Sequence, residues 1–433
     1  MRDLLHRLGD PHLQYPVIHV AGTKGKGSVT KMVGEILTAA GVKTGVYMSP
    51  HLETIHQRMS IDGSWISDEQ LLSVLNEIQP VLDEMDDEAK RDDRRDLTFF
   101  EVTTAATFYH FAKEKVKAAV IEVGLGGRLD STNVCDPSIC VITNISFDHT
   151  KQLGNTLEAI AGEKAGIIKP GIPVVSGAIN PDASKVIERV AADNEAPLYL
   201  LDRDFRVDFD EESEVSGDCS LLRKNRFSTR GKVGGEEYDL GGLELQLLGT
   251  HQATNGSLAV AVAQLLNQRK VHSIEDSAIR EGIHSARLVG RTEVIRKKPL
   301  VIADMAHNVA SVAALIDALT SQIVSWKSAS KRRMIIATSR EKDTLGMMRL
   351  LIRHFDEVIV TKYQNNPRGK EPEELMEIAV RLRNQMNLAT EIRLQPTPEQ
   401  AWESIQGDLS ADEIVCVTGS AFLVAELRSK IMA

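Results

Sequence analysis

Short runs of consecutive apolar residues alternate along this chain with longer stretches in which apolar residues recur every three or four positions. The short runs fall at residues 17–20, 45–48, 118–123, 140–143 and 173–176. They lack the in–out alternation of a strand with one wet face, and so predict strands buried on both faces. Between them, residues 31–40, 68–84, 101–114 and 156–165 carry helical spacing. This rhythm predicts an α/β fold built on a doubly wound, mainly parallel sheet. Residues 83–96 are charge-dense and read as a solvated helix end and loop. The rhythm breaks over about residues 203–248, which are polar, glycine-containing and without helical period. They predict a β-rich excursion with strands at 205–209 and 243–247, returning to a helix at 254–266. A second alternation starts at Lys297-Lys298-Pro299, with strands at 300–303, 334–337, 357–360 and 414–418 and helices at 309–321, 373–384 and 421–431. It predicts a smaller C-terminal α/β domain spanning 297–433, after a first domain spanning 1–296.

The chain has 433 residues, too many for one typical core, which agrees with more than one domain. A formal net charge of −10 with no long basic run argues against a general nucleic-acid binder. Any site for an anion must therefore be locally basic. The four cysteines, Cys135, Cys140, Cys219 and Cys416, form no C-x-x-C pair. They suit a reducing compartment and suggest neither structural zinc nor a disulfide framework. No apolar stretch reaches membrane-spanning length, so the expectation is a cytoplasmic protein with no membrane partner.

The chemistry concentrates where the first strand ends. Strand 17–20 runs into Ala21-Gly22-Thr23-Lys24-Gly25-Lys26-Gly27-Ser28, and Val29, Met32, Val33, Ile36 and Leu37 then follow at helical spacing. Strand, glycine loop and helix make the context of a phosphate-binding loop. Glycines let successive N–H groups turn inward, and the helix N-terminus adds partial positive charge. The spacing departs from the common nucleotide pattern, because Gly22 and Gly25 are close together and Gly27 separates Lys26 from Ser28. Lys26 is the expected partner of the β- and γ-phosphates, Lys24 competes for that role, and Ser28 supplies a hydroxyl near them. The predicted ligand is ATP.

Other expected strand ends are polar too, and in open parallel sheets ligands gather there. One ends in Ser49-Pro50-His51. Another runs into Glu122 and then Val123-Gly124-Leu125-Gly126-Gly127-Arg128-Leu129-Asp130-Ser131-Thr132-Asn133. A carboxylate beside a phosphate loop suits Mg²⁺, with a helix-capping or salt-bridging Glu122 as the lesser alternative. A further strand ends in Thr143-Asn144-Ile145-Ser146-Phe147-Asp148-His149, where His149 is either a metal ligand or a hydrogen-bonded structural residue. Composition gives Lys164 no special status, and the polar residues from His251 to Asn255 could merely cap the next helix.

In this order, the pieces resemble the folylpolyglutamate synthase/dihydrofolate synthase family within the Mur-ligase superfamily of ATP-dependent amide ligases. The resemblance covers essentially the whole chain. It rests on the loop 21–28, Ser49-Pro50-His51, Thr98-Phe99-Phe100-Glu101, the run 121–133, Asp148-His149, Lys164-Ala165-Gly166-Ile167-Ile168-Lys169, Asp304-Met305-Ala306-His307-Asn308 and Thr418-Gly419-Ser420. It implies that Thr23, Lys24, Gly25, Lys26, Gly27 and Ser28 cradle the triphosphate, and that Ser49, Glu122 and His149 hold Mg²⁺, with two ions expected. Lys164 matches a lysine carried as a carbamate, which turns a cation into a carboxylate-like ligand. Asn255, Arg291 and Asp304 match nucleotide contacts, and His307 belongs to the same motif as Asp304. Thr98, Phe100 and Glu101 lie in the segment associated with the pterin-bearing substrate, together with Arg128 and Asp130.

The implied reaction is ATP-dependent addition of L-glutamate to a pterin or folate carboxylate through an acyl phosphate. Dihydropteroate and reduced folates are the acceptors, and the enzyme is expected to be a bifunctional monomer. Closure of two domains over the site would keep water from the acyl phosphate. A monofunctional folylpolyglutamate synthase, another Mur-type amino-acid ligase and a non-catalytic ATP-binding switch are the alternatives. The chain departs from the family at Lys24 (usually Asn), Met305 (usually Gly), Val309 and Val289 (each usually Pro), and Glu341 in Arg340-Glu341-Lys342-Asp343 (usually Asp).

Overall fold

The computed structural model describes residues 1–93, 95–210, 222–223 and 225–432. Chain contacts divide it into two compact units. The first is built on a sheet of eight strands: β1 (Val17–Ala21), β2 (Thr44–Tyr47), β3 (Met59–Ile61), β4 (Ser64–Trp65), β5 (Ala118–Glu122), β6 (Pro137–Ile142), β7 (Val174–Ser176) and β8 (Leu198–Leu200), in the order β4-β3-β2-β5-β1-β6-β7-β8. β1 pairs in parallel with β5 and β6, and the sheet is parallel apart from β3 and β4. Every residue of β1, β2 and β5 is buried, which is why these segments are apolar without alternation. One core cluster gathers Tyr15, Tyr47, Ile78, Phe108 and Phe111, and another Ile142, Ile160, Ile167 and Ile187.

Two helices extend furthest beyond the expected ranges. The first begins at Lys26, inside the glycine loop, and runs to Ala39. The helix Asp68–Arg91 continues through most of the charge-dense segment, capped by a reciprocal Ser67–Gln70 box. Glu84, Met85, Glu88, Ala89, Lys90 and Arg91 are good helix formers, so the run is a solvated helix face before it is a loop.

The excursion is a sheet of β9 (Phe205–Phe209), β10 (Asn225–Val233) and β11 (Glu236–Leu245), in the order β11-β10-β9. Gly234 and Gly235, at φ +61° and +89°, make the tight turn between β10 and β11. β10 was not expected because its inward residues, Asn225, Phe227, Thr229 and Val233, alternate with polar ones and include two polar side chains. The strand expected at 243–247 lies earlier, ending at Leu245. The part of the excursion at 211–221, including Cys219, and position 224 lie outside the described residues, as does Arg94 of the charge-dense segment.

The second unit carries β12 (Glu293–Lys297), β13 (Leu300–Ala303), β14 (Arg332–Ile336), β15 (Glu357–Val360), β16 (Glu391–Leu394) and β17 (Ile414–Thr418), in the order β12-β13-β17-β14-β15-β16. All pairs are parallel except β12 with β13. A boundary at 296/297 would cut this β12–β13 hairpin, and the compact unit begins its long segment at Arg287 instead, with Leu245–His251 joining it. β12 and β16 are edge strands of half-buried and exposed residues, so neither shows the apolar run that marks the inner strands. No helix of the described residues is long and apolar enough to cross a membrane.

Candidate functional site

β1 and β6 are neighbours whose outgoing chains part, one towards β2 and the other towards β7. Such a reversal opens a crevice at the carboxyl ends of the two strands. The glycine loop after β1 is tied to the chain leaving β6. Asn144 accepts the Thr23 N–H at its carbonyl (2.8 Å) and the Lys24 N–H at Oδ1 (2.9 Å). The Thr23 hydroxyl donates to the Ser146 carbonyl at 3.2 Å. The Thr143 hydroxyl donates to the Lys24 carbonyl at 2.5 Å.

Gly25 caps the following helix with φ +82° and no side-chain cap bond. A Cβ there would lie 2.3 Å from Asn255 Oδ1, so only glycine fits between loop and asparagine. Asn255 is thus a buried neighbour of the loop, held by Gln252 Oε1 at 2.9 Å, as well as the fifth residue of the helix His251–Gln268. With no acidic residue in the first turn of Lys26–Ala39, the N-terminal N–H groups keep their affinity for an anion. Ser28 is buried beneath them. Lys24 forms an ion pair with Asp148 at 2.8 Å, which offsets the charge gained where the family usually has asparagine.

Glu122 ends β5 almost fully buried, and its Oε2 accepts the Ser49 N–H at 3.1 Å. A Cβ on Gly27 would sit 3.7 Å from the same oxygen, so the carboxylate lies under the first turn of the loop helix. The structure therefore brings Ser49, Glu122 and the phosphate loop together. His149 has φ +49° and a half-exposed side chain, with Nε2 3.9 Å from Asp148 Oδ1. Among the described residues, no three His, Cys, Asp or Glu side chains form a ready metal cluster. Glu122 and Ser49 still fit Mg²⁺, which prefers oxygen donors and keeps several waters.

Lys164, in the helix Leu157–Ala165, is buried and donates to the Gly22 carbonyl at 2.9 Å. Burial first, then the Lys26 ammonium, lower its pKa to about 7, with Lys24 adding to the effect and Asp148 and Asp130 opposing it.

The residues expected at the pterin-bearing substrate have clear local bonds. Thr98 and Glu101 form a reciprocal capping box on the helix Phe99–Lys113. The Arg95 guanidinium grips Glu101 at 2.7 and 3.0 Å and, with the Thr98 bonds, holds its carboxyl down at about 2 despite the opposing effect of burial. Phe100 lies beside Tyr47, with ring centroids 6.3 Å apart. Asp130 accepts at Oδ1 from the Thr132 N–H (3.0 Å) and hydroxyl (2.6 Å), and at Oδ2 from the Leu125 N–H (2.9 Å). It therefore braces the glycine-rich loop after β5, and burial raises its pKa. Arg128 pairs with Glu163 at 2.9 Å. Glu101, Arg128, Asp130, Asn133 and Lys169 line one cavity of about 300 Å³. A larger cavity, about 600 Å³, belongs to the β-rich excursion and includes none of the expected site residues. Arg95 and Asn144 were not anticipated. The polar end of β6 was the signal for Asn144, whereas nothing in the sequence pattern singles out Arg95.

Three expected residues belong to the second unit. Arg291 is exposed at the entry to β12. Asp304 follows β13, buried, and its pKa is raised by that burial against the pull of Arg291. His307 Nδ1 lies 2.9 Å from the Met305 carbonyl, an acceptor, which places the ring proton on Nδ1. Met305, in place of the usual glycine, has no left-handed backbone, so the methionine is accommodated without strain.

The family described as the Mur ligase middle domain matches residues 20–263, and the Mur ligase glutamate ligase domain matches residues 290–421. The dihydrofolate synthase/folylpolyglutamate synthase of Bacillus subtilis is 33% identical, over 100% of this chain and 94% of its own length. The folylpolyglutamate synthase structure from Thermotoga maritima superposes with a TM-score of 0.83 at 33% identity, covering 100% of this chain and 92% of that one. Mycobacterium tuberculosis folylpolyglutamate synthase complexed with ADP gives 0.84 at 30% identity, covering 99% and 93%.

Proposed function

Because this chain belongs to the dihydrofolate synthase/folylpolyglutamate synthase family of Mur ligases, we propose that it is an ATP-dependent ligase joining L-glutamate to a pterin or folate carboxylate. One observation carries this reading beyond likeness. The glycine loop, Glu122 and Ser49 converge at the carboxyl edge of the sheet, where a nucleotide triphosphate and a cation can share oxygen donors.

A carboxylate does not condense with an amine in water because its oxygen is a poor leaving group. In the proposed reaction the substrate carboxylate attacks the γ-phosphorus and ADP leaves. The glutamate amine attacks the acyl phosphate, loses a proton and expels phosphate. Loop N–H groups and Lys26 would take up charge on the triphosphate. Asn255 and Arg291 would contact the nucleotide. Asp304 would serve the nucleotide beside them, with Oδ2 accepting from Thr292, the neighbour of Arg291, and Oδ1 accepting from the Ala306 N–H. The cavity bounded by Glu101, Arg128 and Asp130 suits the pterin-bearing substrate. Glu122, Ser49 and His149 would hold Mg²⁺, which when bound neutralises phosphate charge. Lys164, with an amine pKa near neutrality, suits reaction with CO₂ to a carbamate. Buried, unpaired Cys135, Cys140 and Cys416 support a reducing cytoplasmic setting.

Both activities are proposed, as in the relative from Bacillus subtilis, although the Lacticaseibacillus casei relative is named only folylpolyglutamate synthase. The test incubates the protein with ATP, Mg²⁺ and glutamate, plus dihydropteroate or a reduced folate, and weighs the products. At least one added glutamyl unit in both incubations is expected. Addition to the reduced folate alone would leave a monofunctional enzyme, and ADP release without either product would reject the reading.

A further inference from the structure

We infer that Glu293, Asp304 and Arg428 form a clamp that fixes the backbone on both sides of Arg291 and so positions its guanidinium. The inference rests on reading Arg291 as a nucleotide contact. Arg291 stands between two residues in left-handed backbone, Gly290 at φ +67° and Thr292 at φ +43°. Glycine adopts that conformation readily. A β-branched threonine does so only where its surroundings over-determine it.

The surroundings do so here with carboxylates. Asp304 Oδ2 accepts both the Thr292 N–H at 2.7 Å and the Thr292 hydroxyl at 3.1 Å. Its Oδ1 is anchored by the Ala306 N–H at 2.7 Å. On the other side, Glu293 Oε2 accepts the Gly290 N–H at 2.8 Å, and the Gly290 carbonyl accepts the Met305 N–H at 2.9 Å. Glu293 is itself held by Arg428, whose Nε donates to Oε2 at 3.0 Å and whose Nη2 donates to Oε1 at 2.7 Å. Arg428 comes from the last helix, Ala421–Met432, so three elements converge on two backbone positions. Both neighbours of Arg291 are thereby pinned while Arg291 itself stays exposed. Fixing its Cα–Cβ direction leaves only side-chain rotamers to be ordered when an anion binds, which lowers the entropic cost of that contact.

The experiment measures kcat and the KM for ATP for Arg291→Ala, Glu293→Ala, Glu293→Gln, Arg428→Ala and the double variant Arg291→Ala/Glu293→Ala, with melting curves for each. Arg291→Ala is expected to raise the ATP KM roughly tenfold. Glu293→Ala and Arg428→Ala should each raise it about fivefold with kcat nearly unchanged, the pattern of lost uniform binding. The double variant should be no worse than Arg291→Ala, because the clamp acts only through that arginine. Glu293→Gln keeps an acceptor for the Gly290 N–H and should recover part of the loss, even if Arg428→Ala proves poorly folded. An unchanged ATP KM in Glu293→Ala, or effects that add in the double variant, would overturn the clamp. An unchanged ATP KM in Arg291→Ala would instead overturn the nucleotide reading of Arg291.

Discussion

Lys26→Ala is expected to lower glutamate-dependent ADP release by about a thousandfold, comparable to losing a preorganised charge-stabilising group in other active sites. Lys26 opens the loop helix and is not fully buried, so its removal should leave the melting curve unchanged. Lys24→Ala is the informative control. The Lys24 ammonium is paired with Asp148, so it has less charge to give to phosphate, and its removal should cost about tenfold. Initial rates of ADP release at saturating glutamate check both. A larger loss in Lys24→Ala than in Lys26→Ala would transfer the phosphate-facing role to Lys24.

Lys164→Ala is expected to reduce turnover by about a hundredfold, and the pH dependence of its chemistry tells why. Carbamate formation joins the amine nitrogen to the carbon of CO₂ and releases one proton to solvent, and only the neutral amine has the lone pair to do it. Burial and the Lys26 charge bring the Lys164 pKa to about 7, so the neutral fraction rises as pH climbs through that value. In ¹³C-bicarbonate buffer a carbamate resonance should be weak at about pH 6, grow by about pH 8, and be missing from Lys164→Ala. Carbamylation would also exchange the donor facing the Gly22 carbonyl for an acceptor, so a shift of the loop amide resonances should accompany the signal. A silent spectrum across this range would show that the lysine works as an amine.

The inner strands of both sheets could be read from the chain because burial on two faces leaves no room for polar residues. Edge strands lack that constraint. β4, β12 and β16 escaped notice for this reason, whereas β3 is an inner strand of three residues, too short to show a pattern. The phosphate loop was readable because its glycines and lysines serve local geometry. Contacts between distant segments were not. Asn255 reads as a helix-capping residue until the structure sets it against Gly25, and the Arg95 partner of the capping box of Thr98 and Glu101 could not be read from the sequence pattern. Asp304 behaves similarly, since its work on Thr292 depends on a backbone angle that no residue pattern announces.

The most direct measurement is a crystal structure of the protein grown with a non-hydrolysable ATP analogue and Mn²⁺, recorded for anomalous scattering. The account predicts phosphate oxygens on the N–H groups of residues 24–28 and a manganese peak about 2.1 Å from a Glu122 oxygen. A nucleotide bound elsewhere, or one in the loop with Glu122 turned away from any cation, would contradict it.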